Sequence, residues 1–213
     1  MHNDIQKLAF ELNKSLESIL KGKVHSITQG IDCIKLEIDQ SELKSVITKL
    51  KDEPKFRFTQ LTDICGVDFP ERTPRFEVVY HLLSVKMNYR LRICVKIDDS
   101  ILLPTISDLY SCAIWYEREV WDMYGISFDD HPDLRRLLTD YGFYGHPLRK
   151  DFPLTGFVEL RYDSEQQRVG YENVNLAQEY RTFDFASPWE GVSQILNDPN
   201  LSPSDFEMDD EEK

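Results

Sequence analysis

Arg75-Phe76-Glu77-Val78-Val79-Tyr80-His81-Leu82-Leu83-Ser84-Val85-Lys86, then Tyr89-Arg90-Leu91-Arg92-Ile93-Cys94-Val95-Lys96-Ile97 after a turn near Asn88, sets the architecture of this chain. Two runs of β-branched, aromatic and aliphatic residues separated by a short polar turn read as a β-hairpin. Phe76, Val78, Tyr80 and Leu82 alternate with Glu77, Val79, His81 and Leu83, so the second face is not fully polar. That pattern predicts a strand covered on both sides for part of its length. His81 has no second ligand type at a fixed offset and reads as a hydrogen-bonded sheet histidine, not a metal ligand.

Upstream, residues 3–21 carry Ile5, Leu8, Leu12, Leu16, Ile19 and Leu20 mostly on one side, an amphipathic helix stopped by Gly22. Residues 24–29 and 33–38 alternate as two short strands around Gly30. Asp39 and Glu42 have capping-box spacing and open a second helix with Leu43, Val46, Ile47 and Leu50 inward. Residues 56–64 predict a strand and Gly66 a turn.

Downstream, residues 105–124 predict the main helix, with Thr105 and Asp108 spaced as a capping box and Gly125 at its end. At about 100° per residue, Ile106, Leu109, Tyr110, Ala113, Val120 and Tyr124 form one stripe. Tyr116, Met123, Ile114 and Trp121 widen it to roughly half the circumference, more than a helix lying on one sheet needs. Glu117 falls within the stripe, where an unpaired charge is costly. Two readings follow: a buried carboxylate satisfied by Arg135, Arg136 or Arg149, or a general acid–base residue. Arg118 and Asp122 are spaced to pair as i, i+4. Asp130 or His131 with Pro132 predicts a short helix carrying Leu134, Leu137, Leu138 and Tyr141 and ended by Gly142, with Arg135 and Arg136 outward. Beyond it, glycines and prolines block regular structure while Phe143, Tyr144, Leu148, Phe152 and Leu154 supply apolar anchors, so something covers this loop.

The totals restrict the functions available. The 213 residues suit one ordinary domain plus a tail. A net charge of −13 and a pI near 4.8 argue against binding nucleic acid or an anionic membrane surface. Mean hydropathy is −0.45, and no apolar run approaches the roughly 20 residues of a membrane span. The N-terminus has neither a secretory core nor transit-peptide composition, so the protein is expected to stay where it is made. Cys33, Cys65, Cys94 and Cys112 are far apart and read as idle thiols. Dinucleotide, P-loop and ferredoxin-type cysteine motifs are absent. A free-standing hydrolase or metal enzyme would use Glu117, His131 and His146, and His131, His146 and Asp151 could also be drawn as a catalytic set, but no nucleophile elbow accompanies them.

From Ser164 onward no helical period persists. Anchors including Tyr171, Val174, Tyr180 and Phe185 suggest an arm that orders on a partner. The fold expected is therefore α+β: a mixed, largely antiparallel sheet with helices packed on it, followed by a long extended C-terminal arm. Residues 1–160 form the domain, 161–195 the partner-binding arm and 196–213 an acidic, disordered tail.

Glu117-Arg118-Glu119, Asp122-Met123-Tyr124-Gly125, His131, and Arg135 through Leu138 resemble the signature of the C subunit of proton-pumping NADH:quinone oxidoreductase, respiratory complex I. The blocks Asp63-Ile64-Cys65-Gly66-Val67-Asp68, Gly145-His146-Pro147-Leu148-Arg149-Lys150-Asp151-Phe152-Pro153 and Phe183-Asp184-Phe185-Ala186-Ser187-Pro188-Trp189-Glu190 are similar too. The resemblance spans residues 63–191; the first 55 fit only in general pattern. It implies a structural subunit of the hydrophilic arm that binds no flavin, NAD, cluster, quinone or metal and supplies no catalytic residue. It implies a hetero-oligomer with the D-type quinone-site subunit and the B- and I-type iron–sulfur subunits. The location implied is peripheral on the cytoplasmic side of the bacterial inner membrane, or the matrix side in mitochondria if organelle-encoded. Replacing Glu117 by Gln or Ala is then expected to reduce assembly, because breaking a buried pair costs roughly 3–5 kcal/mol.

Overall fold

A computed structural model describes residues 12–30, 33–178 and 181. The first half of the predicted N-terminal helix, most of the predicted arm beyond Gln178 and the acidic tail lie outside these residues. The elements below belong to the compact unit ending at Glu172 and its immediate continuation. They are α1 (residues 12–19), β1 (Ser26–Gln29), β2 (Ile34–Ile38), α2 (Leu43–Asp52), β3 (Gln60–Asp68), β4 (Phe76–Ser84) and β5 (Tyr89–Ile97). There follow β6 (Leu103–Pro104), α3 (Ala113–Tyr124), β7 (Phe128–Asp129), β8 (Val158–Asp163) and β9 (Arg168–Asn173).

The central sheet has the order β1-β2-β5-β4-β3. Only the β2–β5 pair is parallel; the others are antiparallel. The hairpin register puts Phe76 opposite Ile97 and Ser84 opposite Tyr89, and Asn88 takes the positive φ the turn requires. This is the α+β, mixed and mainly antiparallel sheet that the alternation predicts.

One face of the sheet holds the core. Leu36, Ile64, Val78, Tyr80 and Ile93 join Leu16 and Leu20 near α1, Val46, Ile47 and Leu50 of α2, and Ala113 and Val120 of α3 in a single buried cluster. Along β4, Phe76 through Tyr80 are all buried, so the strand is covered on both sides at one end. On the second face Glu77 is closed over by Lys35 and Arg72, each 3.5 Å from its carboxylate. The sheet therefore does not need a second layer of helices there.

Four local expectations fail, each because a side chain or amide has a better partner than a local cap or turn. Asp39 makes no capping bond; it lies 2.9 Å from His25, while Glu42 binds Lys23 and Ser45. A 3-10 turn at Gln40–Glu42 leads into α2 instead. Gly66 is not a turn: β3 runs through it, because the Tyr124 ring packs where a Cβ would stand, 2.6 Å from Cδ2. The main helix starts at Ala113, not Thr105. The Leu103 and Thr105 N–H groups donate to the Ser127 and Asp129 carbonyls in the β6–β7 bridge, and Asp108 pairs with Lys44. Residues 131–141 form turns, not a helix, for a reason that lies in the site below.

Candidate functional site

Glycine sits after α3 with φ 77° at Gly125, and the chain beyond folds back to close the helix end. A helix leaves its last four carbonyls unbonded. In α3 each of them is met. Gly125 N–H donates to Trp121 O at 2.8 Å, His146 Nδ1 to Asp122 O at 3.0 Å, Leu148 N–H to Met123 O at 3.1 Å, and Arg149 Nε to Tyr124 O at 2.5 Å. The His146 contact requires its proton on Nδ1. The last turn of α3 contains no basic residue, so Arg136, His146 and Arg149 supply from the loop the donors and charge that the helix dipole favours. A Cβ on Gly125 would lie 2.6 Å from both Arg149 and His146. The close approach, as much as φ, demands glycine.

Asp122 is the centre of this cap. Its Oδ1 accepts from Arg136 at 2.9 Å and the Thr139 hydroxyl at 2.6 Å. Its Oδ2 accepts the N–H groups of Leu137, Leu138 and Thr139 at 3.0, 2.7 and 3.0 Å. Three consecutive amides turned toward one carboxylate cannot also serve an α-helix, which is why residues 131–141 are not helical. Burial alone would push the Asp122 carboxyl up; the five donors outweigh it and hold the group well below the usual carboxylate range. Arg136 also binds the Gly145 and Phe143 carbonyls and stacks near Trp121. It points inward, contrary to the expectation that both arginines face out. Nor does Arg118 pair with Asp122: it donates to the Arg135 and Arg136 carbonyls.

A second carboxylate fixes the far end of the loop. Asp68 is gripped by Arg75 Nε at 2.7 Å and a second nitrogen at 2.8 Å, and accepts the Lys150 N–H at 2.7 Å. The Arg75 guanidinium holds the Asp68 carboxyl below its ordinary range. Arg149 pairs with Asp99, and Asp151 with Arg75. None of the three arginines considered for Glu117 reaches it. Glu117 is fully buried and accepts from the Thr105 hydroxyl at 2.5 Å and the Ile106 N–H at 2.9 Å.

The residues of the enzyme reading are not brought together as one set. His131 lies 3.7 Å from Glu117, but His146 is taken up by the helix end and Asp151 by Arg75. Among the described residues no group of three or more His, Cys, Asp or Glu is placed to hold a metal ion. Burial pushes the Cys65 and Cys94 thiols up to about 12, which removes them as nucleophiles. Asp122 and Asp68 are the organising residues, and sequence reasoning gave neither that role. No local spacing marks that role: Asp122 lies outside the apolar arc, and its i, i+4 neighbour Arg118 binds the Arg135 and Arg136 carbonyls instead.

The braced loop presents apolar side chains to solvent. Tyr141 and Tyr144 are 89% and 90% exposed, with Leu138, Leu154 and Phe157 also open. β8 and β9 form a separate two-stranded sheet whose alternate residues Val158, Leu160 and Tyr162, with Val169 and Tyr171, are exposed as well. The Tyr171 hydroxyl donates to Asp140, tying this ribbon to the loop. A two-stranded ribbon is marginal alone in water, and exposed apolar side chains in this number are a mark of interaction surfaces.

One core-backed α+β sheet is thus followed by a loop braced at both ends that exposes apolar side chains. Residues 36–158 match the family model described as respiratory-chain NADH dehydrogenase, 30 Kd subunit. The chain is 60% identical over 161 residues to the C subunit of the NADH-quinone oxidoreductase of Maricaulis maris, covering 76% of this chain and 80% of that one. The same subunit of Xanthobacter autotrophicus is 51% identical over 196 residues, covering 92% of each. Among solved structures, a chain of the membrane-bound sulfane sulfur reductase, an archaeal respiratory membrane complex, superposes with a TM-score of 0.56 at 24% identity. It covers 68% of this chain and 86% of that one, and at that identity shows the fold alone. The chain belongs to the 30 kDa subunit family of respiratory-chain NADH dehydrogenase.

Proposed function

We propose that this chain is a non-catalytic scaffold subunit in the peripheral arm of a proton-translocating NADH:quinone oxidoreductase. Its partners are the D-type quinone-site subunit and the B- and I-type iron–sulfur subunits. It holds no cofactor of its own, and the flavin, cluster and quinone chemistry belongs to its neighbours. The observation that carries this reading is the solvent-exposed apolar loop around Tyr141 and Tyr144, held rigid from behind by Asp122, Arg136 and Arg149. No described helix is long and apolar enough to cross a membrane. In this reading the other subunits of the complex hold it at the cytoplasmic face of a bacterial inner membrane. Purified full-length chain mixed with a D-type subunit should co-elute as a stoichiometric complex without bound transition metal. Stoichiometric metal and no association would overturn the reading.

A further inference from the structure

The two buried acids of α3 are provided for in opposite ways. Asp122 has an arginine and four other donors. Glu117 has two neutral donors, and among the described residues the ionisable group nearest pairing distance is His131, with Nε2 3.7 Å from Oε2. Nδ1 of that histidine accepts the Asp133 N–H at 3.1 Å, so its single proton is on Nε2, 3.2 Å from the Ile114 carbonyl. A second proton on Nδ1 would set one N–H against another. An ionised Glu117 would thus be a fully buried anion without a counter-charge, a costly state.

The surrounding hydroxyls support the other state without moving an atom heavier than hydrogen. With a proton on Glu117 the same contact reverses: Oε2–H would donate to Thr105 Oγ1, freeing the Thr105 O–H to donate to Ser107 Oγ at 3.0 Å. Thr105 Oγ1 also accepts the Ser107 N–H at 3.1 Å, and Oε1 keeps the Ile106 N–H. Ser107 is half-buried and so meets water. The groups facing Glu117 are His131 from the turn after β7, Thr105 and Ile106 after β6, and Tyr80 of β4, whose buried hydroxyl has no partner. Asp108 and Lys44 act from further out with opposite signs, and burial is the largest influence, raising the Glu117 carboxyl above its usual range.

We propose that Glu117 is a buried proton-binding site, neutral at physiological pH and connected to solvent through the Thr105 and Ser107 hydroxyls. On release, the Oε2 proton passes to Thr105 as the Thr105 proton passes to Ser107 and the Ser107 proton to water. One proton leaves and one carboxylate remains. The test is the carbon NMR pH titration of glutamate carboxyls in the full chain, with the infrared carbonyl band of an un-ionised carboxyl as a second readout. One glutamate should titrate well above about 4.3, the ordinary glutamate value. Its signal should vanish in Glu117→Gln, and Ser107→Ala should slow its proton exchange at least severalfold. The wild-type titration stands even if the Gln variant fails to fold. Every glutamate titrating in the ordinary range, or a His131 imidazolium in the nitrogen spectrum, would overturn the site; unchanged exchange in Ser107→Ala would overturn the route.

Discussion

Asp122 and Glu117, five positions apart on one helix, should answer substitution in opposite ways. Asp122→Asn places amide hydrogens against donors, because all five of its neighbours donate. The expected loss is about 3 kcal/mol or more, read as a lowered denaturant midpoint in the full chain. Glu117→Gln keeps an acceptor for Ile106 and a donor for Thr105, so about 1 kcal/mol or less is expected, while Glu117→Ala, which leaves a hole and the Ile106 N–H without its acceptor, should cost about 2–4 kcal/mol. The expectation that Gln or Ala reduces assembly assumed a buried charge pair; no arginine reaches Glu117, so the two substitutions should differ. The pH dependences have opposite sign. Asp122 is held low, so its stabilisation is full above the unfolded value near 4 and fades as pH falls through the folded one. Glu117 is raised, so its contribution is full below the ordinary glutamate range and fades as pH rises through the folded value. Thermal melts of wild type and each variant across pH should show the Asp122→Asn gap narrowing in acid and the wild type losing ground to Glu117→Gln in base.

At the scale of elements, the packing of α3 against β3 and against the loop that caps it depends on two glycines. Gly66→Ala forces a methyl into the Tyr124 ring, and Gly125→Ala combines a positive φ with a clash against His146 and Arg149. Each should cost about 1–3 kcal/mol, and Gly66→Ala should recover part of that when Tyr124→Leu is added; an additive double variant would contradict the contact. The hairpin and the buried stripe of α3 were legible in the sequence because burial imposes periods of 2 and 3.6 on the residues themselves. The start of α3, the path through Gly66 and the turns at 131–141 were not. They depend on partners distant in the chain, such as Asp129 for the Thr105 amide and Asp122 for three successive amides. Capping-box spacings at Asp39 and Thr105 misled for the same reason: a short polar side chain takes the best partner in space, not the nearest in sequence.

For the molecule as a whole, the same carboxylates that stabilise the fold shape its outer surface. Asp122 and Asp68 fix the loop at both ends, and between those ends Tyr141 and Tyr144 stand out from the surface with nothing of this unit over them. That division, charge inside and aromatic outside, suits a docking surface. The central claim is tested most directly by the affinity of the full chain for a D-type subunit, measured by titration calorimetry for wild type and for Tyr141→Ser with Tyr144→Ser. Exposed aromatics that become interface anchors are worth about 2 kcal/mol each. The double variant should therefore bind roughly 700-fold more weakly, and at least about 30-fold if one of the two is the anchor, while melting at the wild-type temperature. Unchanged affinity, with the fold intact, would contradict the account.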